Sequence, residues 1–320
     1  MNFNIEWLPV ADIKYYESSD SSEPLDISTY TAKSVNEESF TVTPAPGLAN
    51  TEGRSFLAWK VNDNVYALSG DTLTYTWDEV VTNGYAVNLY ATWFNPTYTA
   101  NQQTITDVEA SVLPVGTTVA EGYMIKAPET PSKETLGNYL FNGWSVRIGN
   151  NEYEDVSAGS ILQNGAEVEV FQFNGDVNAS FDANLVEPEQ ANVTFALAGG
   201  SHTVDGEELT DNIYEEVYQS ELSQTHYSVA MPTWSPTRNG YQFDSWQYEY
   251  VRETGEKETY TFEPGDNTKD QDLTFEFNND HIGPTFTATW VPAATIKYPD
   301  PSGIPMIART PDGKLNLANP

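Results

Sequence analysis

The chain has 320 residues, with 47 Asp and Glu against 14 Lys and Arg, and a formal net charge of −33 at pH 7. This acidic excess argues against nucleic acid and anionic membrane surfaces as partners, because binding to both depends on Lys and Arg side chains that neutralise phosphates. The 8 Trp, 19 Tyr and 14 Phe predict a folded chain, and the absence of Cys excludes disulfides, thiolate metal ligands and a thiol nucleophile.

The first residues of the chain do not form a secretion signal. Residues 1–7 lack the basic start and the apolar stretch of a signal peptide. No part of the sequence approaches the roughly 18 consecutive apolar residues that span a bilayer. We therefore expect neither membrane insertion nor an export route for the chain as written.

Alternation of apolar and polar residues predicts short strands separated by turns. In chain order, the clearest strands are residues 73–77, 168–171 and 193–197. One short helix is predicted at residues 213–222, where apolar and aromatic side chains recur at i and i+4. Pairs that adopt positive φ with little strain mark the turns: Asn83-Gly84, Gly149-Asn150, Asn164-Gly165, Asn174-Gly175, Gly199-Gly200 and Asp205-Gly206.

Two aromatic patterns each occur three times. The first ends in Trp59, Trp144 and Trp246, which are separated by 85 residues (59 to 144) and 102 residues (144 to 246). The second follows each of these after roughly 35 to 45 residues, a spacing that predicts one small supersecondary unit per repeat. Its three copies are residues 88–93, 177–181 and 286–290.

The ends of the chain carry the same junction. Residues 7–15 and 290–298 are identical at six of nine positions, so each unit is predicted to begin just after the closing aromatic of its predecessor. The fold predicted is mainly β, with three tandem modules of β-grasp or immunoglobulin-like size in an elongated array and an extended C-terminal tail. The predicted opening strands are residues 13–16, 108–113 and 193–197. The predicted boundaries give modules 1–97, 98–187 and 188–293 and a tail of residues 294–320.

The third module has a distinctive order of motifs. A strand at residues 192–197 is followed by Gly199-Gly200, then by Met231-Pro232-Thr233, by residues 236–246 and by a closing segment at 287–290. This order resembles the Listeria–Bacteroides repeat, the internalin B-repeat type of small β module. The first module lacks the Gly-Gly pair and the second has Phe181 in place of the closing Trp. The resemblance implies a scaffold that occurs in tandem on bacterial surface proteins and in some phage virion proteins, without catalytic residues.

Most of the Trp residues are expected to form cores, because large aromatic side chains supply much of the core of a small module. The six that lie in the two patterns are Trp7, Trp59, Trp93, Trp144, Trp246 and Trp290. Trp77 and Trp234 lie outside the patterns and are candidates for stacking on a sugar of a host-surface glycan. Packing within half-buried strands is the alternative for both.

The sequence has no constellation that indicates catalysis or metal binding. Acidic pairs such as Asp78/Glu79 arise from the composition, and acid–base catalysis requires two groups in different environments. Residues 266–272 supply oxygen atoms but lack the central Gly and the terminal Glu of a calcium-binding EF-hand loop. The three histidines, His202, His226 and His281, have no metal-ligand spacing. We therefore predict a protein that is not an enzyme and that has no cofactor.

The C-terminal tail differs from the rest of the chain. Residues 299–320 contain five prolines and carry no net charge, so residues 1–298 hold the whole acidic excess. We predict that the tail docks on a partner as an added strand, and a frayed terminus is the alternative. The side chains predicted to dock are Ile304, Met306, Ile307, Arg309, Leu315 and Leu317.

Two functions fit these features. The first is a non-catalytic capsid decoration or head-fibre protein on the surface of a bacteriophage virion, bound through its tail to a capsid or other virion protein. The second is a fragment of a bacterial cell-surface adhesin of the internalin-repeat type. The repeated start at residues 294–298 runs into a neutral tail and not into a fourth repeat, which favours the virion protein. The oligomeric state stays open.

Overall fold

A computed structural model describes residues 6–50, 53–62, 65–204, 207–209, 213–252 and 254–293. The chain is mainly β and divides into two compact units, Met1–Pro188 and Glu189–Pro320. The predicted tail, with all six of its docking side chains, lies outside the described residues. Among the described residues, no helix has the length and apolar character needed to cross a membrane.

The first unit contains fifteen strands and two short helices among its described residues. The helices are α1 (Trp77–Thr82) and α2 (Lys133–Leu136), and a 3-10 turn lies at Val119–Glu121. The strands are β1 (Val10–Tyr16), β2 (Asp26–Thr31), β3 (Ser39–Val42), β4 (Ser55–Asn62), β5 (Val65–Ala67), β6 (Leu73–Thr76), β7 (Ala86–Ala100), β8 (Gln103–Thr104), β9 (Ser111–Pro114), β10 (Tyr123–Lys126), β11 (Leu140–Ile148), β12 (Asn151–Val156), β13 (Gln163–Asn164), β14 (Glu167–Val168) and β15 (Val177–Val186).

The second unit contains nine strands and one 3-10 turn among its described residues. The 3-10 turn lies at Thr268–Gln271. The described strands are β16 (Gln190–Ala196), β17 (Thr203–Val204), β18 (Glu207–Glu208), β19 (Ile213–Gln219), β20 (His226–Tyr227), β21 (Tyr241–Val251), β22 (Lys257–Phe262), β23 (Phe275–Glu276) and β24 (Ile282–Pro292).

The main sheet of the first unit is organised around β7. The first half of β7 pairs in parallel with β1 and antiparallel with β4, and its second half pairs in parallel with β15 and antiparallel with β8. Strands β2 and β5 extend the sheet beyond β1 and β4, and β11 and β12 extend it beyond β15. One strand of 15 residues therefore serves two neighbouring sets of strands.

One pairing scheme occurs at three places in the chain. In chain order, the first strand of each set pairs in parallel with the last strand, and the second strand pairs with the first. On its other side, the last strand pairs antiparallel with the third strand, and the fourth strand pairs with the third. In strand order the three sets are β2-β1-β7-β4-β5, β8-β7-β15-β11-β12 and β19-β16-β24-β21-β22. In all three sets the register between the third and last strands shifts next to the aromatic–Trp motif.

The second set differs from the expected one in its first strand. The sequence predicts an opening strand at residues 108–113, but the partner parallel to β15 is the second half of β7, and β9 pairs with β10. Asn95-Pro96, a pair that commonly marks a turn, lies inside β7 without interrupting it, so the two roles of this strand are not separable by pattern. The predicted boundary near residue 97 lies within this strand, and the module limits stay a prediction.

Three hydrophobic clusters form the cores, two in the first unit and one in the second. The Trp residues of the first pattern, Trp59, Trp144 and Trp246, are almost completely buried, as expected. Each contacts the Phe three positions before it, with ring centroids 5.1, 5.2 and 5.3 Å apart. For Trp7 the expectation is wrong, because 83% of its surface is exposed ahead of β1.

The predicted helix at residues 213–222 is wrong, because Ile213–Gln219 form strand β19. Side chains at i and i+4 also share one face of a strand, and β-branched and aromatic residues favour the strand. Tyr214 and Tyr218 pack toward the core opposite Phe195 and Ala191, and Ile213 lies on the exposed face.

The turn predictions are confirmed where the turns are described. Positive φ occurs at a glycine of each described pair: Gly84, Gly149, Gly165, Gly175 and Gly199. The pair at residues 205–206 lies outside the described residues. The strand predicted at residues 73–77 ends at Thr76, because Thr76 caps helix α1 with Glu79 in a capping box.

Candidate functional site

A cleft of about 770 Å³ opens beside β12 in the first unit. One wall is residues 150–157, which include β12 and the turn before it, and the other is formed by residues 160–169. No pattern in the sequence predicts this cleft, because the lining residues that the sequence singles out, such as Asn164 and Gly165, indicate turns and not a site.

Strand β12 is held in place by a two-residue hairpin. Gly149 has φ of +59°, as required of the first central residue of a type II′ turn, and Ile148 faces Asn151 across the hairpin. The next pair, Arg147 and Glu152, forms an ion pair with 2.7 Å between Nη2 and Oε1. Both side chains are more than half exposed, so this ion pair contributes at most about 1 kcal/mol.

The opposite wall is fixed to the core of the unit. Leu162 is fully buried, and its backbone N–H donates to the carbonyl oxygen of Ile125. The backbone N–H of Gly159 donates to the carbonyl oxygen of Pro128 at 2.8 Å. Beyond Leu162, the hairpin of β13 and β14 turns at Gly165, where φ is +66°. Both walls therefore rest on backbone geometry and do not depend on surface ion pairs.

The cleft is polar and acidic. Four carboxylates line it, those of Glu152, Glu154, Asp155 and Glu169, and its lining includes no Lys or Arg. Burial raises the pKa of Tyr153, and the charge of Glu169 adds to this effect. The arrangement can accept hydrogen bonds and attract cationic groups. Among the described residues, no cluster of three or more His, Asp or Glu side chains is arranged to hold a metal ion.

Trp77, the first predicted glycan-stacking residue, is a core residue. Only 9% of its surface is exposed, and its ring lies 4.8 Å from that of Phe40 and 6.4 Å from that of Tyr30. It begins helix α1, and α1 brings the indole into the cluster that also contains Trp59. A ring so enclosed does not offer a face to a sugar.

Trp234, the second predicted residue, lies in the other unit and is half-buried. His202 stacks on its ring at 3.4 Å with an interplanar angle of 7°. Tyr214 and Trp246 approach it edge to face at 5.2 and 5.8 Å. Burial lowers the pKa of His202. Protein groups therefore already occupy one face of the Trp234 ring.

The candidate calcium loop uses its oxygen atoms to cap its own backbone. Asp266 Oδ2 accepts from the backbone N–H of Glu263 at 2.8 Å, and Asn267 Oδ1 accepts from that of Lys269 at 3.0 Å. These bonds hold the 3-10 turn that follows β22. This is the structure of a polar loop.

A signal that sequence reasoning missed is the turn after the fourth strand. In all three sets the residue at the end of a four-residue turn donates its backbone N–H to the carbonyl oxygen of the first, and a Gly precedes that donor. The donor and acceptor pairs are Asp71 and Leu68, Ser160 and Ser157, and Asp266 and Glu263. The spacing of Gly70, Gly159 and Gly265 could have revealed this turn from the sequence.

Comparison of the chain with protein-family models, with curated proteins and with solved structures gave no match. The function is therefore inferred from the geometry and sequence of the chain itself. The three occurrences of one pairing scheme provide the internal comparison.

Proposed function

We propose that this chain is a non-catalytic structural or adhesion protein built from three tandem β modules of the Listeria–Bacteroides type. Its proposed role is that of a capsid decoration or head-fibre protein on a bacteriophage virion. The observation that carries the proposal is the threefold recurrence of one strand-pairing scheme. Repetition of a small supersecondary unit is typical of proteins that serve as scaffolds or spacers.

Side-chain packing supports the same repeat. Each set contains a second aromatic contact besides the Phe–Trp contact of its third strand. The two residues of this second contact face each other across a short antiparallel strand pair or an isolated β-bridge. Its ring centroids are 5.6 to 5.9 Å apart. The pairs are Phe40 with Tyr75, Tyr123 with Phe171, and Tyr227 with Phe275.

The closing Trp makes the same hydrogen bond in the first and third modules, which supports their similarity to each other. Trp93 Nε1 donates to the carbonyl oxygen of Glu17 at 2.9 Å, and Trp290 Nε1 donates to that of Leu197 at 3.2 Å. In both modules the acceptor directly follows the first strand. Phe181 has no N–H to make this bond, so the second module lacks it.

The charge of the chain fits a protein that projects from a particle. A formal net charge of −33 keeps copies apart through like-charge repulsion. We propose that attachment is left to the neutral tail, through Ile304, Met306, Ile307, Arg309, Leu315 and Leu317, and that its partner is a capsid protein or another virion protein.

Quantitative mass spectrometry of gradient-purified virions and of washed cell envelopes from the source culture tests the assignment. A fixed ratio to the major capsid protein is the expected result. Recovery only in envelopes would instead identify an adhesin fragment, the alternative that the same module type allows.

Deletion of residues 299–320 tests the attachment. We expect the deleted chain to keep its thermal unfolding transition and to be lost from virions, because the tail is proposed to bind and not to support the body. A matched variant, Asp300→Asn, keeps the apolar side chains and should stay bound. Unfolding of the body on deletion, or retention of the deleted chain on virions, contradicts the proposal.

A further inference from the structure

The fourth strand of the pairing scheme lies at a sheet edge in all three sets. Within the described part of the chain, β5 pairs only with β4, β12 only with β11 and β22 only with β21. An edge strand presents backbone N–H and C=O groups that can pair with another chain. The molecule thus contains three versions of one edge that can be compared directly.

Two of these edges are short or covered. Strand β5 has only three residues, and the turn after it is held by a later loop, since Asp71 accepts a hydrogen bond from the backbone N–H of Val119 at 3.1 Å. On β22, the side chain of Gln271 donates from Nε2 to the carbonyl oxygen of Thr261 at 3.0 Å. Strand β5 is therefore too short to bind an extended segment, and a side chain already occupies one backbone acceptor of β22.

Strand β12 is the open edge. It has six residues, and the cleft separates it from residues 160–169. The hairpin turn makes Ile148 and Asn151 a hydrogen-bonded pair, so the alternation of an antiparallel pair directs the backbone N–H and C=O of Glu152 away from β11. Across the cleft, no described group bonds to the backbone of Glu152.

The acidic side chains that line the cleft favour a positively charged partner. Glu154, Asp155 and Glu169 supply carboxylates along β12 and the opposite wall, while the carboxylate of Glu152 is ion-paired with Arg147. Lys and Arg side chains bind carboxylates through charge-assisted hydrogen bonds, which are about twice as strong as neutral ones. An acidic strand would instead meet like charges in this cleft.

We propose that β12 binds an extended, Lys- or Arg-bearing segment of a partner protein by β-augmentation. The added strand pairs with the backbone of Glu152 at the usual strand spacing of about 4.8 Å and places alternate basic side chains among the carboxylates. The cleft volume of about 770 Å³ lies within the roughly 300 to 1,000 Å³ of ligand clefts. The proposed binding uses residues of β12 and its cleft alone and does not depend on the virion assignment.

Synthetic peptides test the pairing on the full chain. The probe is an acetylated and amidated octapeptide of alternating Lys and Val. One matched peptide carries N-methyl groups that prevent strand pairing at the same charge, and another replaces Lys with Glu. Fluorescence anisotropy measures the Kd, and amide hydrogen exchange measures protection of residues 151–156. We expect the Lys peptide to bind and to protect the outward amide of Glu152, and the N-methylated peptide to bind at least about tenfold more weakly, because its hydrogen bonds with the backbone of Glu152 are lost.

Two variants of β12 separate the backbone from the charge. Glu152→Pro removes both the outward N–H and the carboxylate, and Glu152→Thr removes only the carboxylate. Proline is tolerated at a sheet edge where its missing N–H faces outward. We expect Glu152→Thr to weaken binding up to about fivefold and Glu152→Pro to weaken it well beyond that, with thermal unfolding recorded for both.

Equal affinity for the Lys peptide and its N-methylated analogue would overturn the proposal, because binding would then be nonspecific electrostatic attraction to an acidic protein and not strand pairing. Unchanged exchange of the β12 amides on saturation would overturn it as well. These two measurements use the unmodified chain, so they decide the matter even if Glu152→Pro does not fold.

Discussion

The indole N–H groups of the three buried motif Trp residues are not equally satisfied. Trp59 Nε1 donates to the carbonyl oxygen of Ala45, and Trp144 Nε1 donates to that of Pro128, both at 3.0 Å. Trp246 Nε1 has no partner among the described residues. The packing of these side chains and their hydrogen bonding can therefore be separated by substitution.

Trp246→Ala is expected to lower the free energy of unfolding by about 3 to 5 kcal/mol, because it removes a fully buried aromatic side chain and leaves a cavity. Trp7→Ala is the matched control and should change the stability by less than about 0.5 kcal/mol, since the side chain is exposed. Urea unfolding followed by circular dichroism measures both. Unchanged stability of Trp246→Ala would falsify the packing argument.

Trp144→Phe and Trp246→Phe compare the two hydrogen-bonding states. Both changes keep an aromatic ring in the core, but only the first removes a hydrogen bond, the one from Trp144 Nε1 to the carbonyl oxygen of Pro128, which keeps the backbone N–H of Gly159 as its other donor. We expect Trp144→Phe to cost about 1 kcal/mol more than Trp246→Phe. The same urea titration gives the difference, and equal costs would mean that the Trp144 bond adds no net stability.

Element by element, the sequence predicts strands and turns better than helices. The positive-φ glycines locate turns because few other residues adopt that conformation without strain. The sequence of β19 also fits a helix, because Val217 and Tyr218 follow the similar residues Ile213 and Tyr214 after four positions. Both a helix and a strand place residues with this spacing on one face. The register opposite Phe195 decides between them, and register is a long-range property.

Helix α1 depends on a local capping box that titrates. Hydrogen bonds from the backbone N–H and the hydroxyl of Thr76 lower the pKa of Glu79 below its ordinary value of 4.5. A carboxylate with a lowered pKa in the folded state stabilises above its unfolded pKa, and this stabilisation is lost as the pH falls through the folded pKa.

Glu79→Gln should therefore be less stable than the wild type at pH 7, and the difference should shrink as the pH falls below 4.5. Asp78→Asn in the same helical turn is the control, because the Asp78 side chain makes no capping bond. Thermal unfolding across this pH range measures the difference. A difference that is independent of pH would show that the charge of Glu79 is not involved.

In the whole molecule, β7 links two sets of strands into one unit. Phe94, in the middle of β7, is fully buried in the cluster that surrounds Trp144 and Phe181. Cutting the chain at the predicted boundary near residue 97 separates Phe94 from that core. Four of the seven register pairs between β7 and β15 are lost with it.

We expect a fragment of residues 98–188 to remain unfolded, and fragments 1–188 and 189–293 each to unfold cooperatively. Circular dichroism and calorimetry of the three fragments measure this. A cooperative transition in fragment 98–188 would mean that the second module is independent of β7 and that the boundary near residue 97 is a true break.

The candidate site could not be predicted from the sequence at all. The repeat, the motif Trp residues and the turns are encoded locally, by spacing and by residue type. The cleft depends on the absence of a strand or loop that covers β12, and no local pattern of residues indicates such an absence. The glycan-stacking prediction for Trp77 overlooked the helix that carries its side chain into the core.

The parallel pairing of the first and last strands affects how each set of strands responds to a force applied at its two ends. Force applied between the start of β16 and the end of β24 acts on two strands that lie side by side and run in the same direction. The hydrogen bonds between them are then loaded in shear and must fail together, not one after another. The topology therefore predicts mechanical resistance in this direction of pulling.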